Sequence, residues 1–368
     1  MKTNVFNVRV NRKQEMRSFI NKIKSFGLKT NGIIFGGLVR DEIIASHYRQ
    51  LFIDKELDYK KYWNPHYDPD TNKRIIIPND MDIYFKNEHN IEIFINYITE
   101  FINLFNGYIT INKMVNSTSL NGFKYINENI KLQHTKINLG IVIGKTINYQ
   151  GITLKFSIDV IYPDNSNIID NYKHSQFITN TEPPFFNLDF TSNIFIMENI
   201  GNNYNIRLST CTGTLIDNMP FSYKNKLIAK ITDDIINLRT QFVRNVYDSF
   251  NAEFVNTYRI LKMIDRDNIW NITNIPFKII QNPKDLTTDI DNSCCICLED
   301  IKIKKDKFTK IVIVRNSTIF HYPCFINYLN QERSKRYVNP DTNLIECRCP
   351  LRIPFNFKDC YKEISYYL

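Results

Sequence analysis

The chain has 368 residues, of which 43% are hydrophobic and 13% aromatic. That apolar content excludes a largely disordered chain, and the length suffices for two or three folded units. The formal net charge of +9 permits an anionic partner such as RNA, and no apolar run approaches the ~20 residues that a membrane span needs. We therefore expect no membrane partner.

The first elements predicted along the chain are a helix, a strand and a second helix. Residues 11–27 have apolar side chains at helical spacing, and residues 32–37 (GIIFGG) are typical of a strand that ends in Gly36 and Gly37. Helical spacing returns over residues 39–52. Small residues at such a strand-to-helix turn let backbone N–H groups approach a phosphate.

The next predicted strand carries two aspartates. In residues 80–85 (DMDIYF), Asp80 and Asp82 alternate with apolar residues, so both carboxylates point to one face of the strand. Paired carboxylates near an anion-binding turn suit two-metal nucleotidyl transfer, in which Mg²⁺ organises the triphosphate and the attacking hydroxyl. The sequence therefore predicts a magnesium site here.

A helix is expected over residues 91–105, and strands are expected around residues 124–133, 138–146 and 152–162. Asp159 lies in the middle of the last of these strands. A charged residue in an apolar strand needs a partner, so Asp159 is either a third metal-site carboxylate or an edge-strand residue that faces water.

The chain is predicted to be an α+β protein with a mixed sheet in its head. The expected boundaries are a head over residues 1–205, a helical neck over 206–270, a linker over 271–292 and a small cysteine-rich domain over 293–368. In the neck, Arg259 and Lys262 share one helix face, which is either a basic stripe toward nucleotide or RNA or a solvated surface.

These segments, in this order, resemble the head and neck of the class II tRNA nucleotidyltransferase family, which comprises CCA-adding enzymes and bacterial-type poly(A) polymerases. The family's GGxVRD turn is matched at residues 36–41 and its DxD strand at residues 80–82. Its RRDFTxNA segment is matched in part by residues 187–194, and its R-I-L-R neck segment by residues 259–262. The resemblance covers roughly residues 15–270.

The resemblance implies a nucleotidyltransferase-fold head that transfers NMP from an NTP, without a template, to an acceptor, which we expect to be an RNA 3′ end. It implies two Mg²⁺ held by Asp80 and Asp82, with Asp159 assisting. The implied nucleotide-binding residues are Gly36, Gly37, Arg40, Asp41, Asp189, Asn193, Arg259 and Lys262. The chain departs from the family at Asn187 and Leu188, where arginines are usual, and at Val255 and Asn256, where a base-reading Glu-Asp is usual.

The last quarter of the chain has a Cys/His pattern typical of a structural zinc site. Cys294-x2-Cys297 followed by His321-x2-Cys324 has the ligand set and spacing of one tetrahedral Zn²⁺. The alternative is a set of unrelated buried thiols. With no signal peptide visible, we expect the thiols to be reduced.

The residues around these ligands resemble a RING finger, with C-x-I-C-L-E, F-H-x-x-C-F and C-P-L segments. The family's second ligand set falls at Asn316, Thr318, Cys349 and Arg352, so the resemblance implies a degenerate RING with one zinc, or two if Cys347 substitutes. We expect burial of residues 311–314 to stabilise the second lobe. The positions matching RING contacts with a ubiquitin-conjugating enzyme are Ile296, Tyr328 and Pro350.

The alternative function is therefore a RING-type E3 ubiquitin ligase or adaptor whose nucleotidyltransferase fold is a catalytically inactive binding module. The abundance of Asn, Ile, Lys, Tyr and Phe is typical of AT-rich coding, as in large DNA viruses of protists or in AT-rich protists themselves. The expected location is the cytoplasm, including a viral replication compartment in the host cytoplasm.

Overall fold

The computed structural model describes residues 2–54, 80–113, 132–143, 151–163, 189–201, 203–209, 221–243, 259–260, 262–264, 270–280, 293–301, 310–314, 318–335, 337–338, 345–346 and 350. The chain divides into two units. The first unit comprises residues 1–187 and 192–236, and the second comprises residues 188–191 and 237–368.

The first unit is built on a seven-stranded mixed sheet with strand order β3-β4-β5-β2-β1-β6-β7. Strands β2 and β5 are parallel, and the other neighbouring pairs are antiparallel. The expected α+β class and mixed sheet are confirmed. The elements in chain order are α1 (Lys2–Lys29), β1 (Ile33–Phe35), α2 (Gly37–Asp54), β2 (Asp80–Tyr84), α3 (Glu88–Asn103), β3 (Tyr108–Lys113), β4 (Leu132–Ile143), β5 (Ile152–Pro163), β6 (Phe195–Ile200), β7 (Asn203–Leu208) and α4 (Phe221–Ile236).

One face of this sheet packs against α1 and α3. The ring of Phe19 in α1 lies 6.0 Å from Phe101 in α3 and 6.5 Å from Phe156 in β5. Helix α3 begins at Glu88 because the side chain of Asn87 accepts a hydrogen bond from the backbone N–H of Asn90, which caps the first turn. Its buried residues recur at helical spacing: Ile91, Phe94, Ile98 and Ile102.

Alternation along β2 divides its side chains between the core and the opposite sheet face. Met81 and Ile83 are 1% and 0% exposed and face the core, while Asp80 and Asp82 are half-buried on the other face. The aspartates share a face as predicted.

The second unit contains a three-stranded antiparallel sheet of order β10-β11-β12 and a helix, α5 (Tyr322–Lys335). Three aromatic rings meet in its core: the ring of Phe325 lies 5.1 Å from that of Phe277 and 5.5 Å from that of Phe320. The strands are β8 (Arg239–Gln241), β9 (Asn271–Thr273), β10 (Phe277–Ile280), β11 (Ile311–Val314), β12 (Thr318–His321), β13 (Tyr337–Val338) and β14 (Ile345–Glu346).

Two of the expected boundaries need correction. The segment expected to be a helical neck includes the end of β7 and all of β8, so it is not continuously helical. The linker expected over residues 271–292 is wrong in its first part, because residues 271–273 and 277–280 are strands and β10 pairs with β11. Burial of Phe277 and Ile280 stabilises β10. Residues 281–292 lie outside the described residues.

Within the described part of the chain, no helix combines the length and the apolar character needed to cross a membrane.

Candidate functional site

The glycine turn and the aspartate strand meet at one position. Phe35 pairs with Asp82 across β1 and β2, and Gly36 follows with a left-handed φ of +73°. A Cβ atom at Gly36 would lie 2.8 Å from Oδ2 of Asp82. Both the backbone conformation and the close carboxylate therefore require glycine. The double-glycine turn and the aspartate strand therefore lie side by side, with Asp82 at the point of contact.

Helix α2 begins at Gly37, directly after this turn. Its first turn contains no acidic side chain, so none of its own carboxylates competes for the N–H groups there. The backbone N–H of Arg40 donates to the carbonyl of Gly36 at 3.3 Å, and the preceding N–H groups have no partner within the helix. Such a helix start, with its positive dipole end, favours a bound anion.

Arg40 and Asp41 support this turn from inside the protein. They are 1% and 5% exposed, and Nε and Nη2 of Arg40 donate to Oδ1 of Asp41 at 2.9 and 2.7 Å. Nη1 of Arg40 donates to Oδ1 of Asn193 at 3.1 Å. The buried pair thus holds the turn and Asn193, and the nucleotide contacts that the resemblance implied for Arg40 and Asp41 stay predictions.

Asp159 lies beside Asp82 in the parallel pairing of β2 with β5, on the same sheet face. It is not an edge-strand residue, because β5 lies between β4 and β2 in the sheet. Its Oδ1 lies 2.8 Å from Nε2 of His134 and 3.8 Å from Nζ of Lys136. Both partners come from β4. The sequence interpretation missed them, although the polar side chains at alternating positions 134, 136 and 138 indicate a polar strand face.

The three aspartates do not form a compact three-carboxylate cluster. Among the described residues, one group of three or more His, Cys, Asp or Glu side chains is close enough to share an ion, and it lies in the second unit. Magnesium binding at Asp80 and Asp82 therefore stays a prediction, with Asp159 held by its two β4 partners.

The group in the second unit consists of the four residues predicted as zinc ligands. The ligand atoms of Cys294, Cys297, His321 and Cys324 all lie within 4.8 Å of one another, so they could hold one zinc-like ion. Nδ1 of His321 lies 3.3 Å from Sγ of Cys297, which makes Nδ1 the ring nitrogen that faces the cluster. Their expected convergence is confirmed.

A tight turn brings the first two cysteines together. The backbone N–H of Cys294 donates to the carbonyl of Glu299 at 2.9 Å, and the N–H of Leu298 donates back to the carbonyl of Cys294 at 2.8 Å. Leu298 closes the turn in the left-handed region, with a φ of +63°. The other two ligands lie where β12 ends at His321 and α5 begins.

The local environment separates the cysteine pKa values. Burial raises the pKa of Cys294, but hydrogen bonds from the backbone of Cys297, Ile296 and His321 outweigh it and lower the pKa to about 7. Burial, reinforced by a hydrogen bond with Cys297 and by the charges of Cys294 and Cys297, raises the pKa of Cys324 to about 12. A divalent cation would stabilise all the thiolates, so its binding would release protons.

The remaining predicted residues lie in the second unit. Nε of Arg259 lies 3.4 Å from Oδ2 of Asp189, and Lys262 is exposed, so their expected nucleotide contacts stay predictions. The expected burial of residues 311–314 is confirmed at Ile311, Val312 and Val314.

Among the ubiquitin-enzyme positions, Ile296 is 37% exposed, while Tyr328 and Pro350 are half-buried. Of the second ligand set, Thr318 begins β12. Asn316, Cys347, Cys349 and Arg352 lie outside the described residues.

No protein-family model, curated protein or solved structure matches the chain. The resemblance to nucleotidyltransferases and to RING fingers therefore rests on the motifs and on the positions of their residues in the fold, and family membership stays a prediction.

Proposed function

We propose that the first unit is a template-independent nucleotidyltransferase that transfers NMP from an NTP to an acceptor, most simply an RNA 3′ end. The observation that carries this proposal is the approach of Gly36 to Asp82. It brings an anion-binding helix start and a cation-binding carboxylate to one point, which is the pairing that a metal-bound triphosphate requires.

In this proposal Asp80 and Asp82 would hold two Mg²⁺, which would supply charge neutralisation for the triphosphate and the leaving pyrophosphate. The N–H groups at the start of α2 bind phosphate oxygens. The acceptor hydroxyl forms a bond to the α-phosphorus as the bond to pyrophosphate breaks, and the hydroxyl proton passes to a base or to water. Arg40 and Asp41 keep the turn in place.

Asp159 has a distinct part in this arrangement. Its contacts with His134 and Lys136 fix its carboxylate beside Asp82, and the charge of Lys136 partly balances the negative charge of that sheet face. We therefore assign Asp159 an assisting role, orienting the metal-binding pair, rather than the role of a main ligand.

The test is incorporation of labelled NTP into single-stranded RNA by the purified full chain. We expect a product that lengthens in the presence of Mg²⁺ and that is absent without it. The four NTPs and several primers are supplied separately, so that base preference and acceptor choice are read independently. No incorporation under any of these conditions would contradict the proposal.

A second candidate function is docking of a ubiquitin-conjugating enzyme at the turn between Cys294 and Glu299, which carries the first two predicted zinc ligands. Two large apolar side chains protrude there, because Ile296 is 37% and Leu298 78% exposed. Exposed apolar residues on a hydrogen-bonded turn suit a protein partner. We expect autoubiquitination with a panel of conjugating enzymes to be lost in Ile296→Asp while zinc content is kept. Equal activity of Ile296→Asp and the unmodified chain would rule out this contact.

A further inference from the structure

The sheet face that carries Asp80 and Asp82 continues as a polar surface over β5, β4 and β3. Side chains that pair across neighbouring strands point to the same face, and Oγ of Ser157 donates to Oδ1 of Asn138 at 3.2 Å. One row is Asp82, Asp159, Lys136 and Asn112. The next row is Asp80, Ser157, Asn138 and Thr110.

A third row on this face combines a cation, a glycine and an aromatic ring. Lys155 in β5 pairs with Gly140 in β4, which in turn pairs with Tyr108 in β3. The ring of Tyr108 occupies the space that a Cβ of Gly140 would fill, yet Tyr108 is 47% exposed. Lys155 is also exposed. The ring is thus supported by backbone below and accessible to solvent.

These features fit a single-stranded nucleic acid better than a protein. Strands lie ~4.8 Å apart, so β2 to β3 spans roughly 15 Å, enough for two or three nucleotides. An exposed ring offers a stacking platform for a base of any identity, and a nearby lysine offers a phosphate contact. The other exposed side chains of the three rows are polar, which is unlike the apolar centre of a protein interface.

We propose that the last nucleotides of a single-stranded acceptor lie across this face, with a base stacked on Tyr108 and a phosphate at Lys155. The terminal hydroxyl then ends near Asp80 and Asp82, a placement that rests on the proposed transferase function. Binding of the strand itself does not depend on that function, so the two can be tested separately.

The experiment measures fluorescence anisotropy of a short unstructured RNA oligonucleotide with the full chain, without NTP or added Mg²⁺. Tyr108→Ala removes the ring on which a base is proposed to stack and is expected to weaken RNA binding by about tenfold or more. Tyr108→Phe keeps the ring and is expected to bind like the unmodified chain. Lys155→Ala is expected to weaken binding and to reduce its salt dependence by about one phosphate contact. The same measurement with a DNA oligonucleotide of the same sequence shows whether the surface distinguishes ribose from deoxyribose.

Tyr204 provides a matched control, because it is 49% exposed on β7 of the same unit. Tyr204→Ala is expected to leave RNA binding unchanged. If folded Tyr108→Ala and Lys155→Ala both bind RNA as the unmodified chain does, the proposed surface is wrong even when transferase activity is present. If binding falls in these variants but no NTP is ever incorporated, the surface stands and the transferase proposal fails. Should Tyr108→Ala not fold, Tyr108→Leu, which also lacks the ring, and Lys155→Glu replace these two variants, and RNA binding equal to that of the unmodified chain in both would overturn the proposed surface.

Discussion

Replacing Asp82 with asparagine is expected to lower the rate of Mg²⁺-dependent nucleotide incorporation on the order of a thousandfold, because a metal-holding charge contributes several kcal/mol of transition-state stabilisation. Asn keeps the size of the side chain that lies against Gly36, so the turn keeps its shape. Single-turnover rates with saturating NTP measure the effect. Asp80→Asn is expected to act in the same direction.

Two controls separate lost chemistry from lost structure. Asp233→Asn removes the same charge from an exposed position on α4 of the first unit and is expected to leave the rate unchanged. Without metal, Asp82→Asn should unfold at a temperature no lower than the unmodified chain, because one of several neighbouring carboxylates is neutralised. Added Mg²⁺ and NTP should raise the unfolding temperature of the unmodified chain only. A variant that retains activity within a few-fold would exclude Asp82 from metal binding.

Replacing Cys294 with serine is expected to abolish zinc binding and to unfold part of the second unit. Structural zinc contributes on the order of 10 kcal/mol to the folding of small domains, and Cys294 is a fully buried member of the four-ligand cluster. Zinc content of the purified chain by mass spectrometry and thermal unfolding measure the two effects. We expect one zinc per chain before substitution and loss of the corresponding thermal transition afterwards.

Cys295 is the matched control for this prediction. It adjoins Cys294 but is exposed, and it does not belong to the four-residue cluster. Cys295→Ser should therefore keep its zinc and its unfolding temperature. A purified chain without zinc, or equal loss of zinc from both variants, would contradict the assignment of ligands. Two zinc ions per chain would instead point to ligands beyond the described residues.

Structural features that depend on a few neighbouring residues could be predicted from the sequence. Alternation in DMDIYF places both aspartates on one sheet face, and the ligand spacing at residues 294–324 predicts the cluster that the structure brings together. These predictions succeed because side-chain direction in a strand and metal-ligand spacing depend on local chain geometry.

Features that depend on distant partners could not be predicted. Nothing near Asp159 in the sequence indicates that His134 and Lys136 would be its partners, since the register of β4 against β5 decides it. Strand β10 is not evident in the sequence because it is four residues long and lies among prolines and polar residues without periodicity, so its pairing with β11 is what identifies it. The sequence around Arg40 and Asp41 does not indicate that the two side chains are buried, because the same residues would also suit an exposed helix surface.

Strand β1 is three residues long and takes its place between β2 and β6. During synthesis the glycine turn leaves the ribosome well before β6 exists, and Arg40 must wait for Asn193, which lies 153 positions later in the chain. Closing so large a loop is slow, so nascent chains would spend time with an open sheet edge at β1. The glycine turn would then acquire its final neighbours late in biogenesis, and a chaperone bound to that edge could delay this step.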